Sequence, residues 1–201
     1  MRWDELFDDL EGQLEQELRA DESDHRVEEE RLRLGRLLLR DRIMVLSRTP
    51  STGAVPAVRF ELLGGATLTV RPTAFGRDWL AGDVLDGSPW HPQCVLPLAA
   101  VASVVLDRSQ VDPSLEAAPS DARLRIIDRM GLPFVLRDLC RRRSAVEVMT
   151  AGGAVHGTID RVGRDHLDLA VHEAGVPRRD RAVRQYRLVP LEQVRLVRLA
   201  G

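Results

Sequence analysis

The sequence predicts an α+β protein: an acidic N-terminal helical arm followed by two tandem five-stranded β-barrels joined by a helix. Three observations predict it. One pattern of strands and turns is written twice, an apolar stripe recurs at helical spacing in the opening segment, and charge is split between that segment and the rest.

The repeat comes first because a period of this size sets the whole architecture. Residues 58–104 and 146–197 each carry an alternating strand, a Gly-Gly pair, a second strand, Gly-Arg-Asp-x-Leu and Pro-Leu-x-x-Val-x-x-Val. Val58 and Phe60 fall on Val146 and Val148 at an offset of 88, which also aligns Gly64-Gly65-Ala66 with Gly152-Gly153-Ala154. Gly76-Arg77-Asp78 falls on Gly163-Arg164-Asp165 at 87, and Pro97-Leu98 on Pro190-Leu191 at 93. The offsets change between blocks, where turns absorb length without flipping a strand's faces. Alternation at period two makes half-buried strands, and the Gly-Gly pairs read as hairpin turns. Five short strands in about fifty residues favour a curled barrel that leaves few exposed edges. A shorter echo, Leu39-Arg40-Asp41 and Leu136-Arg137-Asp138, places a helix before each barrel.

The predicted organisation is an arm over 1–46, a first barrel over 57–106, a flexible linker over 107–121, a linking helix over 122–143 and a second barrel over 144–201. Asp107–Asp121 is rich in Ser, Pro and Asp and reads as an exposed loop. The linking helix has a break near Gly131-Leu132-Pro133, and Thr49–Pro56 is a second flexible stretch.

The run Val146-x-Val148, Gly152-Gly153, Gly157-x-Ile159, Asp165-x-Leu167-x-Leu169 resembles the first conserved block of the Sm-like family of small β-barrels. The second repeat carries the resemblance well and the first more loosely; the arm lies outside it. The family's Asn after the Asp-led turn is absent, with Asp168 nearby, and Val189-Pro190 stands near the place of its Arg-Gly pair. Those two elements belong to the family's uridine-binding loops. The resemblance implies the barrel fold, a homo-oligomer (dimer or ring), and an RNA-facing platform at the two equivalent turns. There, Arg77 with Trp79 and Arg164 with His166 would stack bases, an interaction worth about 1–3 kcal/mol per base. The bland alternative is that Trp79 plugs a barrel and the two Asp side chains hold their turns. The opening Met1-Arg2-Trp3-Asp4 resembles that of a group of uncharacterised bacterial proteins and carries no function.

In the arm, Trp3, Leu6, Phe7, Leu10, Leu14 and Leu18 make an apolar stripe flanked by acids. Trp3, Phe7, Leu10 and Leu14 are the candidate helix interface, packing on the chain's own body or on a second arm. A second helical pattern runs from about Ser23 to Arg42, although Gly35 costs it about 1 kcal/mol relative to Ala.

Residues 1–30 carry a net charge of −10 and residues 31–201 a net of +8, so the total of −2 hides an acidic arm on a basic body. The chain has no lysine and no asparagine, and all 29 cationic side chains are Arg. That bias points to a GC-rich coding sequence, hence a bacterial source. Arg178, Arg179, Arg181 and Arg184 with Tyr186 form the densest basic stretch and the candidate phosphate contacts, with a solvated loop as the alternative.

Cys94 and Cys140 suggest a reducing compartment and no disulfide framework. No signal segment or apolar run of membrane-spanning length is present, so a cytoplasmic protein without membrane association is expected. No Gly-x-Ser-x-Gly, P-loop or dinucleotide fingerprint occurs, and none of the five His has carboxylate or Cys neighbours at metal-ligand spacing. The expectation is a non-enzymatic, regulatory binding protein with no metal or cofactor. Its partner is RNA or DNA held by Arg-rich barrel loops. The alternative is a protein-interaction adaptor that self-associates or docks a protein through its arm and barrel edges.

Overall fold

The computed structural model describes residues 25–48, 56–85, 92–116 and 126–199. The chain divides into two units, Met1–Leu39 and Arg40–Gly201. In the first, residues 25–35 are helical (α1), with ion pairs Glu28–Arg31 and Glu30–Arg33 along the exposed surface. The apolar side chains Val27, Leu32, Leu34 and Leu38 are exposed. The interface residues Trp3, Phe7, Leu10 and Leu14 lie outside the described residues. Helix α1 stops after Gly35, and α2 (Leu39–Leu46) starts anew. The continuous second helix expected from the pattern is therefore two helices.

The second unit is built on one antiparallel sheet of ten strands. They are β1 (Val58–Leu62), β2 (Thr67–Phe75), β3 (Trp79–Val84), β4 (Gln93–Pro97), β5 (Val101–Val105), β6 (Ala145–Thr150), β7 (Gly153–Val162), β8 (His166–Val171), β9 (Gln185–Pro190) and β10 (Leu196–Leu199). Their order is β5-β1-β2-β3-β4-β10-β6-β7-β8-β9. Mixed α and β content matches the expectation, but two separate closed barrels are not formed. The outer edge of β4 is occupied by β10 of the other half and not by β5 of its own, so the sheet stays open at β5 and β9.

Each half runs closing strand, first, second, third, outer strand, and the registers agree pair for pair. Arg59 faces Thr69 where Glu147 faces His156. Val70 faces Val84 where Gly157 faces Val171, and both hairpins slip by one residue at the same place, after Pro72 and after Ile159. Trp79 faces Pro97 where His166 faces Pro190. Phe60 faces Val104 where Val148 faces Val197. One detail of the alignment is corrected. Strands β2 and β7 already stand at an offset of 87, so the one-residue slip lies inside the first hairpin turn and the Gly-Gly pairs are not equivalent. Gly64 and Gly65 both have positive φ (102° and 87°), whereas in the second turn only Gly153 does (104°).

Two apolar cores sit on opposite faces of the central strands. The first gathers Phe60, Val70, Leu80, Val84 and Leu96 under Ile43 and Leu46 of α2. The second gathers Val146, Val148, Ile159, Leu167 and Leu169 under α4 (Leu132–Arg141), through Leu132, Leu136 and Leu139. Around the β4–β10 joint the strands serve both. Cys94 and Leu96 point into the first core and Val95 into the second; Leu196 enters the first and Val197 the second. Alternate residues of a strand face opposite sides, so a strand between two cores is buried on both. That explains the unbroken burial of Cys94-Val95-Leu96-Pro97.

Two connections depart from expectation. Within the predicted flexible linker, Arg108–Ser114 forms helix α3, because Asp107 and Gln110 make a capping box. The Gln110 side chain accepts from the Asp107 N–H at 2.9 Å. Within the predicted helix 122–143, the described residues form a short 3₁₀ turn, Ile126–Arg129, followed by α4. Gly131 sets the boundary at the N-cap, and Pro133 lies in the first turn, where its missing N–H costs nothing. Among the described residues no helix is long and apolar enough to cross a membrane.

Phe60 is fully buried in the first core. Phe60→Ala should cost about 3–5 kcal/mol, read as a lowered urea midpoint in far-ultraviolet circular dichroism. Because β3, β4 and β10 serve both cores, the variant should still unfold in one transition. Two separated transitions would contradict the shared joint.

Candidate functional site

Three features of the second unit could carry function: the paired Gly-Arg-Asp turns, the Arg-rich stretch before β9, and the two open ends of the sheet.

The paired turns share a frame. Gly76 N–H donates to the Trp79 carbonyl and Gly163 N–H to that of His166, each at 2.8 Å. In both turns the ring three residues on folds back over the glycine. A Cβ at Gly76 would run into the Trp79 indole, and one at Gly163 would come within 2.7 Å of the His166 imidazole. The preceding helix anchors each turn through its arginine. Arg40 donates to the Gly76 carbonyl at 2.7 Å and Arg137 to the Gly163 carbonyl at 3.2 Å. The short Leu-Arg-Asp echo is thus a structural part of the repeat.

The two turns differ in what covers them. In the first, Asp78 Oδ1 accepts from the Leu132 N–H at 2.7 Å, capping α4. The Met130 carbonyl accepts from the Arg77 N–H at 2.9 Å and from the indole N–H at 3.0 Å. Trp79 is only 3 % exposed and belongs to the second core, so it offers no face to a base. Arg77 remains exposed, 3.5 Å from Asp78. In the second turn Arg164, Asp165 and His166 are all exposed. His166 Nδ1 lies 2.8 Å from Asp165, and this hydrogen bond holds the Asp165 carboxyl below its ordinary value. The matched pair of stacking platforms expected from the repeat is therefore one closed turn and one open turn.

The Arg-rich stretch is largely committed to internal ion pairs. Arg178 forks onto Asp160 at 2.8 and 2.6 Å and reaches Asp180 at 3.0 Å. Bidentate pairing of this kind is strong and directional; it raises the Arg178 pKa and fixes the loop before β9. Arg184 pairs with Glu173. Arg179, Arg181 and Arg187 are exposed, and Tyr186 is 61 % exposed. Asp160, Arg161, Asp168, Arg178, Tyr186, Arg187 and Leu188 line a shallow concavity of about 410 Å³. Its charge is mixed, because Arg161 meets Asp168 at 3.3 Å and Arg178 meets Asp160.

Sequence reasoning named barrel edges in general but did not single out the two strands at the sheet ends. β5 and β9 each have one neighbour among the described strands. Leu188, at 73 % exposure, sits beside Tyr186 on β9, and Val105 is exposed on β5. The available signal was the contrast between Gln93-Cys94-Val95-Leu96 and its partner run Tyr186-Arg187-Leu188-Val189.

Two buried polar features lie nearby. His172 is buried; its Nδ1 donates to the Glu173 carbonyl at 3.0 Å, and its Nε2 lies 2.9 Å from the Thr158 hydroxyl. His156 meets His172 edge-on at 5.3 Å, and its buried Nε2 has no hydrogen-bond partner. Among the described residues no group of three or more His, Cys, Asp and Glu is placed to hold a metal ion. No protein-family model, curated protein or solved structure matches the chain.

Burial foremost, then the neighbouring His172, holds the His156 pKa below its ordinary 6.5, with Glu147 pulling the other way. The unfolded chain then takes up this proton more readily than the folded one. The His156 contribution to stability is complete above about pH 6.5 and is lost as pH falls from there towards the lower folded-state value. Urea midpoints should therefore decline between pH 7.5 and 5.5 in the wild type and flatten in His156→Gln. An unchanged slope would remove His156 as the cause.

Burial pushes the Cys94 thiol up to about 12. In the native chain at pH 8, a thiol reagent should leave Cys94 unmodified until denaturant is added. Rapid native modification of Cys94 would mean that the β4–β10 joint opens freely.

Proposed function

We propose that this chain is a non-enzymatic protein-interaction adaptor, built on a duplicated Sm-like unit, that binds partners by strand addition at the two open ends of its sheet. The observation that carries the reading is the β4–β10 pairing. The chain joins its own halves by setting an outer strand against a closing strand, and among the described strands an outer and a closing strand are left with one neighbour each at the far ends. Main-chain hydrogen bonds supply affinity in such a mode, and alternate side chains supply selectivity. Leu188 and Val105 are apolar groups suited to that role. The Sm-like reading draws support from the common strand order and registers of the halves.

A second reading, nucleic-acid binding, is favoured by one observation: Tyr186 lies exposed among Arg161 and Arg187 at the mixed-charge concavity. Against it stand the buried Trp79 and the ion-paired Arg178 and Arg184.

Fluorescence anisotropy with a labelled single-stranded RNA of mixed sequence separates the two. The adaptor reading expects no saturable binding at 50 or 200 mM salt. Tight binding that falls steeply with salt and drops about tenfold or more in Tyr186→Ala or Arg187→Ala would transfer the function to nucleic acid.

A further inference from the structure

The first Gly-Arg-Asp turn holds a segment of backbone, and the second turn carries the same receiving groups with nothing on them. In the first turn the Met130 carbonyl accepts from the Arg77 N–H and from the Trp79 indole. Two residues on, the Leu132 N–H donates to Asp78. The aspartate of the turn thereby caps α4, whose own N-cap, Gly131, has no side chain to do so. Gly131 lies close against the turn: a Cβ there would stand 2.8 Å from the Arg77 guanidinium and 3.3 Å from the Asp78 carboxylate. Leu132 then enters the same buried cluster as Trp79 and Val95. The held motif is a carbonyl, a glycine, an N–H and an apolar side chain at the start of a helix.

Each receiving group has its counterpart in the second turn. The backbone frame is copied beyond the glycine. The Asp78 carbonyl accepts from the Leu98 N–H at 2.9 Å, and the Asp165 carbonyl from the Leu191 N–H at 2.7 Å. Among the described residues nothing accepts from the Arg164 N–H, and the Asp165 side chain is 85 % exposed. His166 and Leu188 stand in the places of Trp79 and Val95. Leu188 pairs with Asp168, two residues from His166, while Leu167 and Val189 turn into the second core. Alternation therefore puts His166 and Leu188 on one face of the sheet, away from that core. Both are exposed there, whereas Trp79 and Val95 are buried.

We propose that the second turn, together with Leu188, is a docking site for the start of a helix of a different protein, entered through a glycine or another small residue and followed by an apolar side chain. The Arg164 N–H donates to the carbonyl before the small residue, Asp165 caps the incoming helix, and the apolar side chain covers His166 and Leu188. A second copy of this chain does not supply the segment from α2, α3 or α4. Its α4 is held by its own first turn, and its α3 is capped by Asp107 and Gln110. Its α2 begins at Leu39, beside Arg40, and lacks the added turn by which α4 precedes Arg137. The site uses the face of the sheet and not its edge, so it goes beyond strand addition and does not depend on it.

The probe is the segment that the first turn already holds: a synthetic peptide of residues 126–141 with blocked ends, added to the isotopically labelled full chain under reducing conditions. Saturable nuclear magnetic resonance shifts are expected in the amides of Arg164, Asp165 and His166 and in the Leu188 methyl groups. Asp165→Ala should weaken the peptide about tenfold, as the loss of a helix cap does, with the circular dichroism unchanged because that side chain is exposed. Gly131→Val in the peptide should weaken it several-fold and leaves the folded chain untouched. The proposal is overturned if millimolar peptide moves nothing at the second turn, if the shifts are confined to Gly76–Trp79, or if either substitution leaves binding at full strength. Shifts of the same amides with single-stranded RNA of mixed sequence, and none with the peptide, would assign the turn to nucleic acid and overturn it as well.

Discussion

The structure depends on the pairing of β4 with β10. Without it the chain is two five-strand halves, each with an exposed outer strand and an exposed closing strand. With it one outer and one closing edge are satisfied at once, and the strands that meet there are buried on both faces. Backbone groups at a buried edge must find partners, and here each half supplies them for the other. The joint also carries side chains across: Leu196 of the second half lies in the first core, and Trp79 and Val95 of the first half lie in the second.

Duplication gives the halves one plan, and the joint makes them unequal. The first Gly-Arg-Asp turn closes over the Met130–Leu132 segment, with its Asp capping a helix and its ring buried. The second turn keeps the same frame and stays open, with Asp165 bonded to its own neighbour His166. The same inequality runs along the outer strands, where Val95 is covered and Leu188 is bare. Function is sought at the open members of these pairs because the covered members are occupied in holding the chain together.

Much of this was legible in the residues. Period-two alternation, the repeated Gly-Arg-Asp and Pro-Leu blocks and their offsets located most of the strands and the internal duplication. Even the brief Leu-Arg-Asp echo marked a real equivalence, since Arg40 and Arg137 grip matching glycine carbonyls. What stayed hidden was non-local. Strand pairing between β4 and β10 joins residues about a hundred positions apart and leaves no periodic trace. Its one local sign was the apolar run Cys94-Val95-Leu96, too continuous for a strand with a wet face. Closed barrels were expected because five strands seek to hide their edges; the second half hid one of those edges instead. Helix α3 was obscured by Ser and Pro although its capping box was present. The Arg-rich stretch looked like a phosphate site because sequence order does not reveal that Asp160 lies under Arg178.

The central claim is that the halves share one sheet through this joint. Interstrand nuclear Overhauser contacts in the isotopically labelled intact chain test it most directly. The account predicts contacts linking Cys94 and Val95 to Arg198 and Val197. Their absence, with contacts between β4 and β5 in their place, would mean that each half closes on itself and would contradict the account.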